Sequence, residues 1–231
     1  MAARKESNIN DYAFDYLRSF YMQRYGLEQV MLDRAQKTKH GHQTDGLFSF
    51  NRQSNDLFIA SLHTSQSATI THLLLRYKKK GLSKVRYVTL LLVLAVSLFL
   101  AWESGHWAIR FVLPAVLGCA AFLFHTLLEE KYLRLKLCAF LDSMKKTPAD
   151  EQWLGLSISS LAFRNNPLGK FFLKTCHQRG IGIITVGKRS KVILLQEPKT
   201  IVCRRGDFLS HYSAEARIRK AVLGDSYLRV A

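Results

Sequence analysis

The sequence predicts an α/β fold in which a small mixed sheet is flanked by helices and interrupted by a two-helix transmembrane hairpin. Short apolar runs of strand length, bounded by turn residues, occur near both ends of the chain. Two longer apolar runs stand next to each other in the middle. Neither set of strands is large enough to form a stable sheet by itself, so we expect the two sets to join across the hairpin.

The composition indicates a folded protein that is attracted to anionic surfaces. Hydrophobic residues make up 48% of the 231 residues, which is compatible with a core. Lysine and arginine number 34 against 17 acidic residues, which gives a net charge of +17. This charge favours nucleic acid or the cytoplasmic face of a membrane as a partner, and a purely solubilising surface is the alternative.

The cysteine and histidine patterns do not indicate a metal site. The cysteines are far apart and include no C-x-x-C pair, so we expect neither a disulfide framework nor cysteine-bound zinc. His40 and His42 have no acid or cysteine nearby at ligand spacing, and we interpret them as solvated loop residues.

The charged N-terminus has no apolar segment typical of a cleaved signal peptide.

The first part of the chain predicts one helix and a meander of three strands. Aromatic residues at helical spacing mark an amphipathic helix from about Asn10 to Tyr25, which ends at a glycine. Strands are predicted at residues 27–33, 44–51 and 56–64. The polar stretch at residues 34–43 is predicted to be the first connecting turn.

The second part predicts two helices and a pair of strands. Residues 129–146 continue the second apolar run as a helix, which breaks at Thr147 and Pro148. Another helix is predicted from Pro167 to Arg179, closed by Gly180. The segments "IGIITVG" and "KVILLQEP" read as strands around the turn "GKRS", and the first is predicted to lie beside "LFIASL".

The two central apolar runs predict membrane spans at about residues 87–102 and 108–128. The first run is short, but aromatic residues at its ends and snorkelling of Lys84 and Arg86 extend its effective length. A buried helical hairpin in a soluble core is the alternative. We expect Gly118, Ala120 and Ala121 to form the contact face between the two helices, because small residues allow close approach.

The distribution of basic residues predicts the topology. Six basic residues precede the first span without an intervening acid, whereas the inter-helix loop holds only Glu103, His106 and Arg110. Cytoplasmic segments carry the excess of lysine and arginine, so both termini should be cytoplasmic. We expect an integral protein of a prokaryotic inner membrane whose hairpin could also oligomerise. The six residues are Arg76, Lys78, Lys79, Lys80, Lys84 and Arg86.

The chain therefore divides into four predicted regions. Residues 1–80 form the first half of a cytoplasmic α/β domain, residues 86–130 the hairpin, and residues 131–200 the second half of the domain. The basic C-terminal segment, residues 201–231, could pack on the domain, lie on the membrane surface or hold a partner.

The element order of the soluble parts resembles the restriction-endonuclease-like fold of the PD-(D/E)xK nuclease superfamily. The resemblance covers residues 11–77 and 151–198, where helix, strand, strand with Asp-Gly, strand, helix and strand follow one another. Asp45, before Gly46 and "LFSF", matches the first metal-binding acid of that family. Ala60 and Leu62 stand in place of its acid-x-Lys. The resemblance thus implies a degenerate site, and the alternative for Asp45 is a residue that caps a turn.

Three functions are compatible with this reading. The first is a non-catalytic, membrane-tethered module without a cofactor, whose six basic residues bind lipid head groups, nucleic acid or a protein partner. The second is a membrane-anchored nuclease with a migrated magnesium site made by Glu28, Asp45 and Glu151. The third is an effector whose hairpin disturbs the lipid bilayer.

Overall fold

The chain folds into six α-helices and six strands in a computed structural model that describes residues 3–52, 56–65, 67–102, 106–187, 191–203 and 206–224. The helices are α1 (Ala3–Tyr25), α2 (Ser67–Lys80), α3 (Val85–Ala101), α4 (Trp107–Lys145), α5 (Pro167–Arg179) and α6 (Glu215–Leu223). The strands are β1 (Met31–Lys37), β2 (Gln43–Asn51), β3 (Leu57–His63), β4 (Glu151–Leu156), β5 (Ile181–Val186) and β6 (Val192–Gln196).

The chain forms two compact units. The sheet unit comprises Met1–Leu75 and Ala139–Ala231, and the hairpin unit comprises Arg76–Cys138. Parts of four predicted segments lie outside the described residues. They are residues 53–55 between the second and third predicted strands, the inter-helix loop with Glu103, residues 188–190 of the "GKRS" turn and the end of the C-terminal segment.

All six strands belong to one mixed sheet in the order β1-β2-β3-β4-β5-β6. The first three strands are antiparallel, β3, β4 and β5 are parallel, and β6 returns antiparallel to β5. Strands from before and after the apolar segments thus share one sheet, which confirms the predicted α/β class with a mixed sheet flanked by helices.

One central strand was missed by the sequence reading. β4, "EQWLGL", lies between β3 and β5, so the prediction that "IGIITVG" pairs with "LFIASL" is wrong. Glu151, Gln152 and Gly155 interrupt the apolar character of β4, although all six of its residues are buried. A buried parallel strand is normally an apolar run, and these polar residues concealed it.

The first strand also lies further along the chain than predicted. It begins at Met31 and continues through Lys37, so the polar residues Arg34, Gln36 and Lys37 pair with β2 and do not form a turn. β1 is an edge strand with several exposed residues, and such a strand tolerates polar side chains on its open face. The connecting turn is correspondingly shorter.

Helix boundaries follow from local capping. Asn166 Oδ1 accepts a hydrogen bond from Gly169 N at 3.1 Å, which caps α5 in front of Pro167 at its first position. At the other end Gly180 adopts the left-handed conformation, with φ of 69°. The bounds of α5 are those predicted from these residues.

The two faces of the sheet have different cores. On one face, α1 packs its aromatic side chains, including Tyr21, against Phe48, Phe58 and Trp153. On the other face, the C-terminal segment covers Leu47 and Ile59 with a cluster of side chains from residues 208–222. The C-terminal segment is therefore part of the folded core of the sheet unit.

Within the hairpin unit, α3 and α4 pack against each other. Gly118 on α4 faces Leu90 and Leu94 on α3, and the rings of Tyr87 and Phe122 are 5.6 Å apart. Gly118 thus takes the predicted contact position, but Ala120 is exposed and does not. A contact face on a helix repeats at intervals of three and four residues, which places position 120 on another side.

Helix α4 contains a segment that is long and apolar enough to cross a membrane. This segment, Ile109–Lys145, has a window of mean hydropathy 2.1 that is only 11% buried. α3 has 17 residues and reaches a comparable length only together with α2, from which it is bent by 57°. At 1.5 Å per residue, α3 alone extends roughly 26 Å.

Candidate functional site

A polar pocket opens on the sheet face opposite α1. Its walls are the β1–β2 turn at residues 41–43, the end of β3 with His63 and Ser65, and residues 140–147 at the end of α4. The pocket has a volume of about 360 Å³. All of these residues belong to the sheet unit, so the pocket is formed within one compact body.

Strand register places Asp45 on the pocket side of the sheet. Gly46 pairs with Leu62 and Leu47 pairs with Ser61. Side chains alternate along a strand, so Asp45 shares a face with Ser61 and His63, whereas Ala60 and Leu62 lie on the α1 face. The residues of β3 that share the face of Asp45 are therefore Ser61 and His63, whereas Ala60 and Leu62, the positions matched to acid-x-Lys, lie on the other face.

Asp45 holds the backbone where β3 ends. Its Oδ2 accepts hydrogen bonds from Thr64 N at 2.6 Å and Ser65 N at 2.8 Å. These two amides follow β3, and a carboxylate is a favourable acceptor for backbone amides. The geometry agrees with the capping alternative for this residue, although Asp45 caps a neighbouring segment and not its own turn.

His63 is held neutral in the pocket wall. It is 8% exposed, and its Nε2 lies 2.9 Å from Thr147 Oγ1. Burial lowers the pKa of His63 to about 4, and the nearby Asp45 carboxylate opposes this shift only in part. The Thr147 hydroxyl donates to the carbonyl of Met144, so it accepts from Nε2–H. This arrangement assigns the unprotonated lone pair of His63 to Nδ1.

A second buried polar cluster lies on the α1 face. Glu151 is fully buried, and its carboxylate accepts hydrogen bonds from Tyr21 Oη and Thr200 Oγ1, each at 2.7 Å. Trp153 Nε1 donates to Tyr21 Oη at 2.6 Å, and Arg24 Nη1 stands 3.7 Å from the carboxylate. Burial, followed by the Glu151 charge, raises the pKa of Tyr21. These hydrogen bonds compensate for the cost of burying the Glu151 carboxylate.

The carboxylates assigned to a migrated metal site are not brought together. Asp45 lies on the pocket face, Glu151 contacts Tyr21 on the α1 face, and Glu28 is exposed before β1. The sheet therefore lies between Asp45 and Glu151, two of the three carboxylates in the predicted ligand set of Glu28, Asp45 and Glu151. Within the described ranges, no group of three or more His, Cys, Asp or Glu side chains is placed to hold a metal ion.

Asp150 contributes a titratable carboxyl next to this cluster. Its Oδ2 accepts a hydrogen bond from Ile59 N at 2.8 Å, which ties the start of β4 to β3. Burial raises the pKa of Asp150 to about 6, although the bond from Ile59 N lowers it. A proton is thus bound near pH 6, where most exposed aspartates are ionised.

The six predicted basic residues all lie in the hairpin unit. Five are exposed and Arg86 is half-buried, with its guanidinium 5.4 Å from the centre of the Phe122 ring. The linker between α2 and α3 is joined to α4 because Ser83 N donates to Glu129 Oε1 at 2.7 Å. Burial, with a further contribution from Glu130, raises the pKa of Tyr77. The basic stretch before α3 therefore adjoins the polar part of α4.

The polar pocket was not recognised in the sequence. Its residues come from three separate segments, and His63 was assigned to a strand without a role. Alternation along β2 and β3 places Asp45 and His63 on the same face of the sheet only when the register of the two strands is known. The sequence does not specify that register. Comparison with known proteins gives no match to a protein-family model, to a curated protein or to a solved structure.

Proposed function

We propose that the protein is a non-catalytic α/β module held at the cytoplasmic face of a membrane by a transmembrane helical hairpin. Its juxtamembrane basic residues bind anionic lipid head groups. The observation that carries the proposal is the position of these residues at one end of two helices whose exposed side chains at residues 88–100 and 111–128 are apolar.

The apolar surface of the hairpin unit supports a lipid environment. On α3, Phe99 is 81% and Leu100 is 74% exposed, and on α4 Phe111 and Leu127 are each more than 60% exposed. Soluble monomers rarely expose continuous apolar surface of this extent. In a bilayer the same side chains contact acyl chains, and helical hydrogen bonds satisfy most backbone groups within each helix.

The flanking charges support one orientation. Lysines at the end of α2 and at residue 84 precede the first apolar helix, and Lys131, Arg134 and Lys136 follow the apolar part of α4. The hydrogen bond between Ser83 and Glu129 supports both groups lying at the same end of the hairpin. Basic residues gather on the cytoplasmic side, where anionic lipids attract each one with about 1 kcal/mol.

The restriction-endonuclease-like fold is part of this proposal. The order of α1, an antiparallel β1–β2–β3 meander and a parallel β4 supports it. Asp45 caps the end of β3. Ser61 and His63 of β3 lie on the same face of the sheet as Asp45, and neither position holds an acid or a lysine. This geometry supports a module that retains the frame of a nuclease and works without a catalytic magnesium ion.

The preference for anionic lipid can be measured with the full chain reconstituted into vesicles of phosphatidylcholine and phosphatidylglycerol. Electron paramagnetic resonance of spin-labelled lipids reports which head group is enriched at the protein boundary. We expect enrichment of phosphatidylglycerol that decreases when salt is raised, because the contact is electrostatic.

The double variant Lys79→Glu/Lys80→Glu should reduce this enrichment. The matched control is Lys170→Glu/Lys174→Glu, which makes the same charge change on exposed residues of α5 in the sheet unit. Equal enrichment for both variants would contradict the proposal. A preference for added single-stranded RNA over phosphatidylglycerol, lost in the first variant alone, would replace lipid by nucleic acid as the partner.

A further inference from the structure

We propose that the pocket between the β1–β2 turn, the end of β3 and the end of α4 binds a small neutral planar heterocycle of nucleobase or nucleoside size. This site is separate from the basic residues of the hairpin unit, and the inference does not depend on lipid binding. It rests on the size of the pocket, on the chemistry of its wall and on Nδ1 of the pocket-lining His63, to which the described residues give no hydrogen bond.

The dimensions of the pocket suit a small ligand. Its volume of about 360 Å³ lies near the lower end of the range found for small-molecule sites. Three independent chain segments converge on it, and strand β3 and helix α4 supply two of its walls. Regular elements of this kind hold a binding site in a fixed geometry.

The wall offers both hydrogen bonds and apolar contact. Ser65 and Ser143 contribute hydroxyls, while Phe140 and Met144 contribute a ring and a thioether. A planar heterocycle matches this combination, because its edges carry donors and acceptors and its faces are apolar. No carboxylate and one ammonium, from the exposed Lys146, occur among the lining residues that the structure describes, so a charged ligand is not required.

His63 supplies the specific polar contact. Thr147 engages its Nε2, and Nδ1 has no hydrogen-bond partner in the described part of the chain. An acceptor left unpaired in a buried site recovers a substantial free energy when a ligand N–H reaches it.

A nucleophilic role for Thr147 is not supported by the geometry. The residue is 1% exposed, and its hydroxyl proton is donated to the carbonyl of Met144. A hydroxyl that attacks a substrate must instead present its oxygen to the substrate and its proton to a base. The pocket is thus proposed to bind and not to react.

The inference is tested with the full chain in detergent and with four probes: adenosine, guanosine, cytidine and uridine. Isothermal titration calorimetry should detect saturable binding of at least one probe with a Kd below about 1 mM. In the nitrogen-15 spectrum of the imidazoles, the Nδ1 resonance of His63 should shift during the titration, because a ligand N–H bonds to its lone pair.

The variant Ser143→Trp should fill the pocket and weaken binding at least tenfold. Ser19→Trp is the matched control, because Ser19 is also an exposed serine on a helix but lies on α1. Failure of all four probes to bind, or equal binding by the two variants, would overturn the proposal. If Ser143→Trp does not fold, the unmodified chain still tests the proposal. A His63 Nδ1 resonance that stays unchanged at saturating probe would overturn it.

Discussion

Thr147 Oγ1 and His63 Nε2 are 2.9 Å apart, and this contact joins the second residue after α4 to the last residue of β3. The two residues are separated by 84 positions in the chain. Their hydrogen bond satisfies a buried ring nitrogen and determines which tautomer the imidazole adopts. It also positions one wall of the pocket relative to another.

Replacing Thr147 by valine should destabilise the sheet unit. The substitution preserves the shape of the side chain but leaves the Nε2–H group of His63 without an acceptor, which costs about 1–3 kcal/mol. Chemical unfolding of the detergent-solubilised protein, followed by tryptophan fluorescence, measures the loss. Thr147→Ser retains the hydroxyl and should remain close to the unmodified protein. Equal stability of the valine and serine variants would refute a role for the hydrogen bond.

The titration of His63 should make folding stability dependent on pH. Its pKa in the folded state, about 4, is lower than the value of 6.5 for an exposed histidine. Between these values the unfolded chain binds the extra proton, so this contribution to stability is complete above pH 6.5 and decreases as the pH falls towards 4. The variant His63→Gln should lose this dependence.

Asp150 acts in the opposite direction within the same range, because its pKa is raised to about 6 and its ionised form is disfavoured in the folded state. The His63 effect must therefore be measured as the difference between the His63→Gln variant and the unmodified chain. Direct observation of the imidazole by nitrogen-15 spectroscopy provides a second check. A His63 midpoint at pH 6 or above would contradict the predicted neutral state.

Removing the hydroxyl of Tyr21 should destabilise the buried Glu151 cluster. In Tyr21→Phe, Trp153 Nε1–H loses its acceptor and the Glu151 carboxylate loses a donor, and each unsatisfied group costs about 1–3 kcal/mol. Denaturant unfolding with circular dichroism quantifies the change. Tyr25→Phe is the control, because Tyr25 is half-buried and stacks on Tyr21 without joining this chain of hydrogen bonds. Similar losses in both variants would argue against the cluster.

Asp45 should matter for stability and not for metal-dependent cleavage. We expect the full chain to leave DNA and RNA intact in magnesium or manganese, because the Asp45 carboxylate is engaged by Thr64 N and Ser65 N. Asp45→Ala should lower the thermal midpoint equally with and without magnesium. Magnesium-dependent cleavage that disappears in this variant would instead establish a nuclease, so a gel assay and a thermal scan together decide the matter.

The hairpin should integrate the protein into a membrane with both termini cytoplasmic. Its apolar helices should keep the chain in the pellet when isolated membranes are washed with alkaline carbonate. Terminal reporters that function only in the cytoplasm should be active at both ends. Release by carbonate would exclude the span, and an external terminus would exclude the proposed topology. Replacing Leu94 and Val116 by lysine should weaken integration, whereas Lys170→Glu should not.

Features that depend on neighbouring residues were predictable from the sequence. α1 ends at Tyr25 before Gly26, and α5 begins after Asn166 and ends before Gly180, because capping is decided within one turn of helix. The apolar segments were equally visible, since length and composition alone define them. The separate strand sets also indicated that one sheet must include both parts of the chain.

The tertiary structure determined the features that depend on contacts between segments remote in the chain. β4 became a central strand because its neighbours bury both of its faces, and strand register placed Asp45 on the same sheet face as Ser61 and His63. The C-terminal segment packs on the sheet because Tyr212 and Ile218 fit against Leu47 and Ile59. Local patterns determine which elements form, whereas burial and strand pairing between remote segments determine which side chains meet.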